Sequence, residues 1–507
     1  MKSLRPLFDH QVAAIDGIRS AIACGSRRPM LALPTGAGKT VLAAHIVAGA
    51  RSKSKRLAFC VPSLGLIDQT FDRFRENGFD PADMGIVQAD HPWRRPAAPI
   101  QICTAQTLAR RELPETDIAV VDEAHIRFGV YDRWMAEKPE VLFIGLSATP
   151  WARGLGKQYD RLIRPTSLAS LIEAGRLSPF RVFAPSKPDL TGVRTVAGDF
   201  HEGDIAERMD RPELVADIVQ TWLTKGRGKP TLCFCVNRKH AQSIRDEFAK
   251  VGIAVAYVDA NTPRAERDDI GKQLAVGEIE VVCNIGCLTT GIDWDVRCLI
   301  LARPTKSPML FVQIVGRALR TAEGKAEALI LDHSDTHQRL GFVTDVEAAH
   351  DELDDGAARK GAGSSDREKK TPLPKCCPAC TALVPIHSHV CAACGYQLPV
   401  ISGVRTVDGE LVELSGKTKV RVARSPSVKD MLRDMGKSEV FGQLKWVAID
   451  RRRNPGWAAH AYREIFDDWP RGKVEGAPVA PPDPLLQSYL QHRNIAWAKS
   501  KGARHAR

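Results

Sequence analysis

This 507-residue chain has no apolar run approaching the roughly 18 residues that a membrane-spanning helix needs. Its opening, MKSLRPLFDHQ, lacks the apolar centre of a secretory signal. Those two absences predict a cytoplasmic protein with no membrane partner. Aromatic residues are scarce at 6%, and acidic residues are outnumbered, 60 against 72 basic, for a net charge of +12. That balance favours a polyanionic partner without identifying it. No constellation suited to a nuclease stands out. The chain is too long for one core and points to about two to four domains.

What is present begins at Leu33–Thr40, LPTGAGKT. The apolar run Met30–Leu33 reads as a buried strand, and Val41–Val47 as a helix. A strand, a Gly-rich loop and a helix start together form a phosphate cradle over Pro34, Thr35, Gly36, Ala37 and Gly38: Gly36 and Gly38 let backbone N–H groups turn inward, and the helix adds its positive end. Lys39 would reach the outer phosphates of a nucleotide, and the Thr40 hydroxyl would hold Mg²⁺. The strict pattern wants Gly where this chain has Leu33. Upstream, Gln11 opens a helix-like segment running to Ala23, where its amide can read the adenine edge.

Ile118–Val121 is an unbroken apolar strand followed by Asp122-Glu123-Ala124-His125. Acids at the carboxyl edge of a buried parallel strand meet ligands there. Asp122 is placed to hold Mg²⁺, and Glu123 to orient and deprotonate an attacking water. His125 would relay the nucleotide state to neighbouring motifs. Another strand, Val141–Leu146, ends in Ser147-Ala148-Thr149-Pro150. Alternating strands and helices over 1–165 predict a parallel sheet covered on both faces.

Residues 166–200 contain no phosphate loop and read as a connector. Residues 201–344 then read as a second α/β layer, again without a nucleotide loop. It offers Leu288-Thr289-Thr290-Gly291-Ile292-Asp293 and, later, Gln313-Ile314-Val315-Gly316-Arg317-Ala318-Leu319-Arg320. On a helix Gln313, Arg317 and Arg320 share one face. Two guanidiniums aimed at one point suit the charge that develops on a transferring phosphoryl group, an effect worth about 10³–10⁵ in rate.

LPTGAGKT, DEAH, SAT, TTGID and QIVGRALR, in this order, resemble motifs I, II, III, V and VI of superfamily 2 helicases. The resemblance spans roughly residues 5–335. Thr262-Pro263-Arg264-Ala265-Glu266-Arg267, the LTTG run and Arg303-Pro304-Thr305 look most like the RadD (YejH) group of bacterial DNA-repair ATPases. The resemblance implies two tandem RecA-like domains, 1–165 and 201–344, with ATP between them. It also implies nucleotide contacts from Gly291 and Asp293, and backbone-phosphate contacts from Thr104, Gln106, Thr289 and Thr290. The expected partner is single-stranded or branched DNA, in repair, recombination or replication. RNA is the alternative substrate, and a DNA- or protein-binding adaptor with a vestigial motor is the alternative class.

Residues 345–374 turn charged and poor in large apolar groups, a linker composition. Within 375–400, Cys377, Cys380, Cys391 and Cys394 form two CxxC knuckles ten residues apart. Four converging thiolates bind Zn²⁺, whose binding would supply the folding energy of so short a ribbon. Cys376 could replace Cys377, and His387 or His389 could replace one thiolate. The eight scattered cysteines read as small buried hydrophobes. Residues 401–507 carry 20 Lys and Arg against 12 Asp and Glu. They read as a basic, mainly helical tail, with helices over 428–435, 440–452 and 458–466. Arg451–Arg453 could meet phosphates while Trp457 stacks on bases; Trp446 reads as core. A repair or replication protein could dock on the ribbon or the tail.

Overall fold

Continuous apolar runs build the strands of the first lobe, as a sheet covered on both faces requires. Strands β1 (Pro29–Ala32), β2 (Leu57–Val61), β3 (Met84–Ile86), β4 (Ile100–Thr104), β5 (Ile118–Asp122), β6 (Leu142–Ser147) and β7 (Arg161–Ile163) pair in the order β3-β4-β2-β5-β6-β1-β7. Every pairing is parallel. Helices α1 (Asp9–Ala23), α2 (Lys39–Arg51), α3 (Ile67–Glu76), α4 (Ala105–Leu108) and α5 (Gly129–Glu137) accompany them. That strand order sets the carboxyl ends of β5, β6 and β1 side by side. The three chain segments that follow those strands therefore share one edge. The computed structural model describes residues 4–88, 91–185, 187–289, 293–356, 372–398, 428–451, 453–454, 456–483, 485–487, 489–490 and 493.

The second lobe begins earlier than its composition suggests. After α6 (Leu168–Glu173), strand β8 (Phe180–Phe183) joins the second sheet as its edge, so part of the stretch read as a connector is sheet. Phe-Arg-Val-Phe is short, and only its last two residues are buried, which leaves no clear strand signature. A hairpin, β9 (Thr195–Val196) and β10 (Asp199–Phe200), comes next, then α7 (Glu202–Met209) and α8 (Pro212–Lys225). Strands β11 (Thr231–Phe234), β12 (Val255–Val258), β13 (Val281–Asn284), β14 (Cys298–Leu301) and β15 (Ala328–Asp332) complete a parallel sheet ordered β12-β13-β11-β14-β15-β8. Its helices are α9 (Arg238–Lys250), α10 (Arg264–Val276), α11 (Pro308–Ala318), α12 (Thr336–Leu340) and α13 (Val343–Ala348). Two RecA-like layers result. One apolar cluster runs without a break from Leu31 and Leu146 in the first to Leu232 and Ile330 in the second.

The start of the stretch read as a linker is folded. His350 stacks on Trp151 with ring centres 4.3 Å apart, and the Asp354 carboxylate accepts from the Gly154 N–H at 3.0 Å. Both contacts tie the chain leaving the second lobe back to the first. Residues 357–371, and 399–427 beyond the ribbon, lie outside the described residues.

Met1–Gly403 forms one unit and Val404–Arg507 another. The latter packs α14 (Val428–Asp434), α15 (Lys437–Asp450) and α16 (Trp457–Phe466) around Leu432, Leu444, Ala461, Tyr462 and Ile465. Trp446 and Trp457 lie half-buried against that core. The Arg453 and Arg493 guanidiniums lie 5.9 and 5.5 Å from the Trp457 ring centre, so that indole face is shared with cations of its own unit.

Candidate active site

The loop after β1 owes its shape to two glycines. Gly36 and Gly38 have φ of 88° and 84°, in the left-handed region that side chains resist. Space forbids a side chain as well. A Cβ on Gly36 would lie 2.7 Å from Leu177 Cδ2, and one on Gly38 would lie 2.3 Å from Gln11 Nε2. Leu33, where the strict phosphate-loop pattern has glycine, is buried; its N–H extends the β1–β6 ladder by donating to the Ser147 carbonyl at 2.9 Å. Just past the end of β1, that position is still hydrogen-bonded to β6, so it needs no glycine. Gln11 is 2% exposed and buttresses the loop: its Nε2 donates to the Ala37 carbonyl at 3.1 Å, and its Oε1 accepts from the Phe8 N–H at 3.0 Å. Pro34 and Thr35 are buried beside it.

Across β6, Asp122 ends β5 and Glu123 takes a φ of 48°, a left-handed turn at a non-glycine residue that re-aims its carboxylate. Glu123 Oε1 lies 3.2 Å from Lys39 Nζ, and its Oε2 lies 3.4 Å from His125 Nδ1. The same His125 nitrogen is 2.9 Å from Ser147 Oγ on β6. Burial, with the Glu123 charge beside it, pushes Asp122 up to about 6. Burial alone would raise Glu123 too, but Lys39, then His125 and Arg317, hold it below the ordinary range. Burial holds His125 below the usual histidine value. The two neighbouring acids therefore have opposite shifts, a pattern found where acids do chemistry.

From the second lobe α11 closes on this edge. Gln313 Nε2 lies 3.2 Å from His125 Nε2 and 3.3 Å from Thr149 Oγ1. Arg317 is only 7% exposed; burial, then Arg320, push its pKa well below the usual arginine value, while Glu123 opposes. Arg320 Nη1 pairs with Asp293 Oδ1 at 2.6 Å. A buried guanidinium beside another guanidinium is a site that wants an anion. The Lys325 ammonium caps the end of α11, donating to the carbonyls of Ala318 (2.5 Å) and Arg320 (2.6 Å). Burial brings that lysine down to about 8.

Gln11, Lys39, Thr40, Asp122, Glu123, His125, Gln313, Arg317, Arg320 and Asp293 thus come together, as do the loop residues between Pro34 and Gly38. Among the described residues, Thr104, Gln106 and Thr289 make no hydrogen bond to this group. Thr104 is fully buried as the N-cap of α4, its hydroxyl accepting from the Thr107 N–H at 3.2 Å, so it presents no hydroxyl to a strand. Gln106, two residues on, is exposed. The Thr289 hydroxyl donates to the Gly286 carbonyl at 2.7 Å. Thr290 and Gly291 lie outside the described residues. Arg73, Leu177 and Lys325 reach the site without any sequence signal. Arg73 Nη1 donates to Thr40 Oγ1 at 3.3 Å.

The four cysteines of the ribbon converge. Cys377 and Cys394 place their sulfurs 3.7 Å apart, as do Cys380 and Cys391, and all four lie within 4.8 Å of one another. A tetrahedron with Zn–S bonds of about 2.3 Å has edges of about 3.8 Å, whereas a disulfide would need about 2.05 Å. The donor set therefore fits zinc. Cys376 lies apart, its Sγ 3.5 Å from the Thr381 carbonyl, and neither His387 nor His389 belongs to the cluster. The ribbon does not stand alone, as its short length would suggest. Ala382 bridges to Phe183 on β8, the Ala184 N–H donates to the Thr381 carbonyl at 3.0 Å, and Cys377, Val384 and Leu398 share a core with Ile218 and Trp222. It covers the edge of the second sheet, an edge that would otherwise invite pairing.

Residues 5–152 match the family described as type III restriction enzyme, res subunit, and residues 211–322 match the helicase conserved C-terminal domain. With a phosphate loop in the first and paired arginines in the second, these domains define an ATPase of the superfamily 2 helicase class. The chain is similar to a 51.5 kDa protein of a Lactococcus phage (isolate 7-9), with 27% identity over 454 residues, 88% of this chain and 94% of that one. It is also similar to IRC3 of Saccharomyces cerevisiae, whose assignment as an ATP-dependent helicase is provisional, with 29% identity over 353 residues. That match covers 64% of this chain and 51% of IRC3, so the chain spans about half the length of that relative. A solved fragment from Vibrio vulnificus YJ016, assigned provisionally as the HsdR subunit of a type I restriction enzyme, shares the fold. Its TM-score is 0.51 at 23% identity, over 70% of this chain and 68% of the fragment.

Proposed function

We propose that this ATPase is a DNA-stimulated translocase or helicase, most like the RadD group, working in DNA repair, recombination or replication. The observation that carries the reading is Arg317: a cation of the second lobe, buried at the edge where the first lobe holds Glu123 and Lys39. In this reading Lys39 and the loop amides grip the phosphates, Glu123 activates water, and Arg317 with Arg320 neutralises charge as the γ-phosphoryl leaves. Thr40 and Asp122 would hold Mg²⁺, which when bound neutralises phosphate charge. His125 and Gln313 link motif II to motif VI and would make lobe closure depend on the nucleotide. The four ribbon cysteines hold Zn²⁺ as a structural ion.

A DNA substrate is supported by the restriction-enzyme family that the first lobe matches and by the chain's positive charge. Gln106 and Thr289 are the backbone-phosphate contacts we infer; sequence-independent grip of this kind suits a motor that tracks a strand. The test is ATP turnover across single-stranded DNA, branched DNA and RNA. Turnover should be low alone and rise several-fold with DNA, more than with RNA. Lys39→Ala and Glu123→Gln should abolish it while leaving DNA binding by fluorescence anisotropy within a few-fold. Parent-like hydrolysis by Glu123→Gln would remove Glu123 from its role, and stimulation by RNA alone would replace DNA as the substrate.

A further inference from the structure

Helix α3 buries Ile67, Phe71 and Phe74 against the first sheet and leaves Arg73 half-exposed at the border of that face. The Arg73 backbone carbonyl accepts from Asn77 Nδ2 at 2.7 Å, a bond any residue could accept. Its guanidinium does something specific: Nη1 donates to Thr40 Oγ1, the hydroxyl next to the phosphate-gripping Lys39. Lys39, Arg317 and Arg320 are already nearby, with Asp122, Glu123 and Asp293 as the acids, and Asp293 is paired with Arg320. Adding Arg73 makes four cations against three acids. The positive charge of Arg73 acts on Asp122, Arg317 and Arg320 alike. An excess of partly shielded positive charge costs free energy until a polyanion enters. What Arg73 adds here is positive charge, which a lysine at the same place would also supply.

We propose that Arg73 is a further phosphate-binding cation of the ATP site, supplied by the same lobe as the phosphate loop, which compensates triphosphate charge when Mg²⁺ is absent. The inference rests on the reading of Leu33–Thr40 as the ATP cradle. With the metal away, Arg73 holds the metal-binding hydroxyl and lends charge to the outer phosphates, so nucleotide docks without the ion. With the metal bound, its share shrinks because Mg²⁺ carries the compensation.

The experiment measures binding of a fluorescent ATP analogue to the full chain, in Mg²⁺ and in EDTA. Arg73→Gln should weaken binding in EDTA by about tenfold or more, the scale of one lost charge-assisted hydrogen bond, and binding in Mg²⁺ by less than about threefold. Arg73→Lys, which keeps the charge, should stay within about threefold of the parent in both buffers, and it carries the test should the Gln variant prove unstable. Equal losses in the two buffers would make Arg73 a prop for the loop and overturn the proposal. So would no loss in either, or a Lys variant as weak in EDTA as the Gln variant. A parent chain that bound the analogue in neither buffer would overturn the ATP-site reading itself.

Discussion

Gly316 of α11 rests directly on Thr35 of the phosphate loop: a Cβ at Gly316 would lie 2.7 Å from the Thr35 Cβ. Real side chains do not pack that closely, so the two lobes can meet here only because α11 is bare at this turn. Arg317 is the next residue, and the bare turn brings it to the catalytic edge.

Gly316→Ala is therefore expected to wedge the lobes apart while leaving each sheet intact. The penalty for overpacking of this kind is about 1–3 kcal/mol. If it falls on the closed state, kcat should drop by roughly 5- to 150-fold. ATP turnover and a thermal melt check it together. A lower melting temperature with unchanged kcat would place the strain elsewhere.

Arg317→Ala should cost far more in rate than in binding. An arginine that stabilises developing charge contributes about 10³–10⁵, so kcat should fall at least about a thousandfold. The equilibrium affinity for ATP should change by only a few-fold. Arg317→Lys should recover little, because one ammonium cannot reproduce the fork. Single-turnover kinetics beside equilibrium titration separate the two effects, and a large loss of affinity with kcat retained would reassign Arg317 to ground-state binding.

What the sequence disclosed, and what it hid, follows from where the contacts lie. The phosphate loop, the Asp122-Glu123 pair and the Gln313–Arg320 face are each contiguous or one helical repeat apart, so spacing alone exposes them. Leu177 and Arg73 reach the loop from elements whose own patterns say only that they fold. Lys325 caps α11 from beyond its end, and nothing distinguishes it from 71 other basic residues. Strand β8 carries little signal because an edge strand buries one face weakly. The resemblance assigns Thr104 to a backbone phosphate, but a threonine at the end of a strand serves equally well as a helix cap, which is its place here. The CxxC pairs disclosed the cysteine cluster, but not that the ribbon borrows the core around Trp222.

That borrowed core makes the ribbon's metal a matter of second-lobe stability. The purified chain is expected to contain one zinc per molecule by elemental analysis. Cys380→Ser should lose it and expose β8, seen as faster hydrogen exchange over 180–184. Binding of structural zinc is worth about 10–16 kcal/mol in isolated fingers; here part of the core would survive without it, so the lobe should loosen rather than unfold. Full zinc content in the variant would overturn the four-cysteine assignment. Unchanged exchange at β8 would show that docking does not need the ion.

Stability should also depend on pH through His240, which is fully buried at the start of α9. Its Nδ1 accepts from the Val236 N–H at 3.3 Å, and burial lowers its pKa to about 4, with Asp210 opposing only in part. The folded chain thus resists a proton that the unfolded chain accepts near pH 6.5. Between those values the unfolded state binds more protons, so stability is full above about pH 6.5 and drains away as pH falls toward 4. By pH 5 the loss from this one group is about 2 kcal/mol. For a lobe of this size that is roughly 4–8 °C in melting temperature. The check compares melts at pH 7.5 and pH 5 for the parent and for His240→Asn, which keeps an acceptor near the Val236 N–H but cannot titrate. The variant should start less stable, because it leaves a small cavity, yet lose about 4–8 °C less than the parent on acidification. Equal acid losses in both proteins would mean that His240 is not the group being protonated.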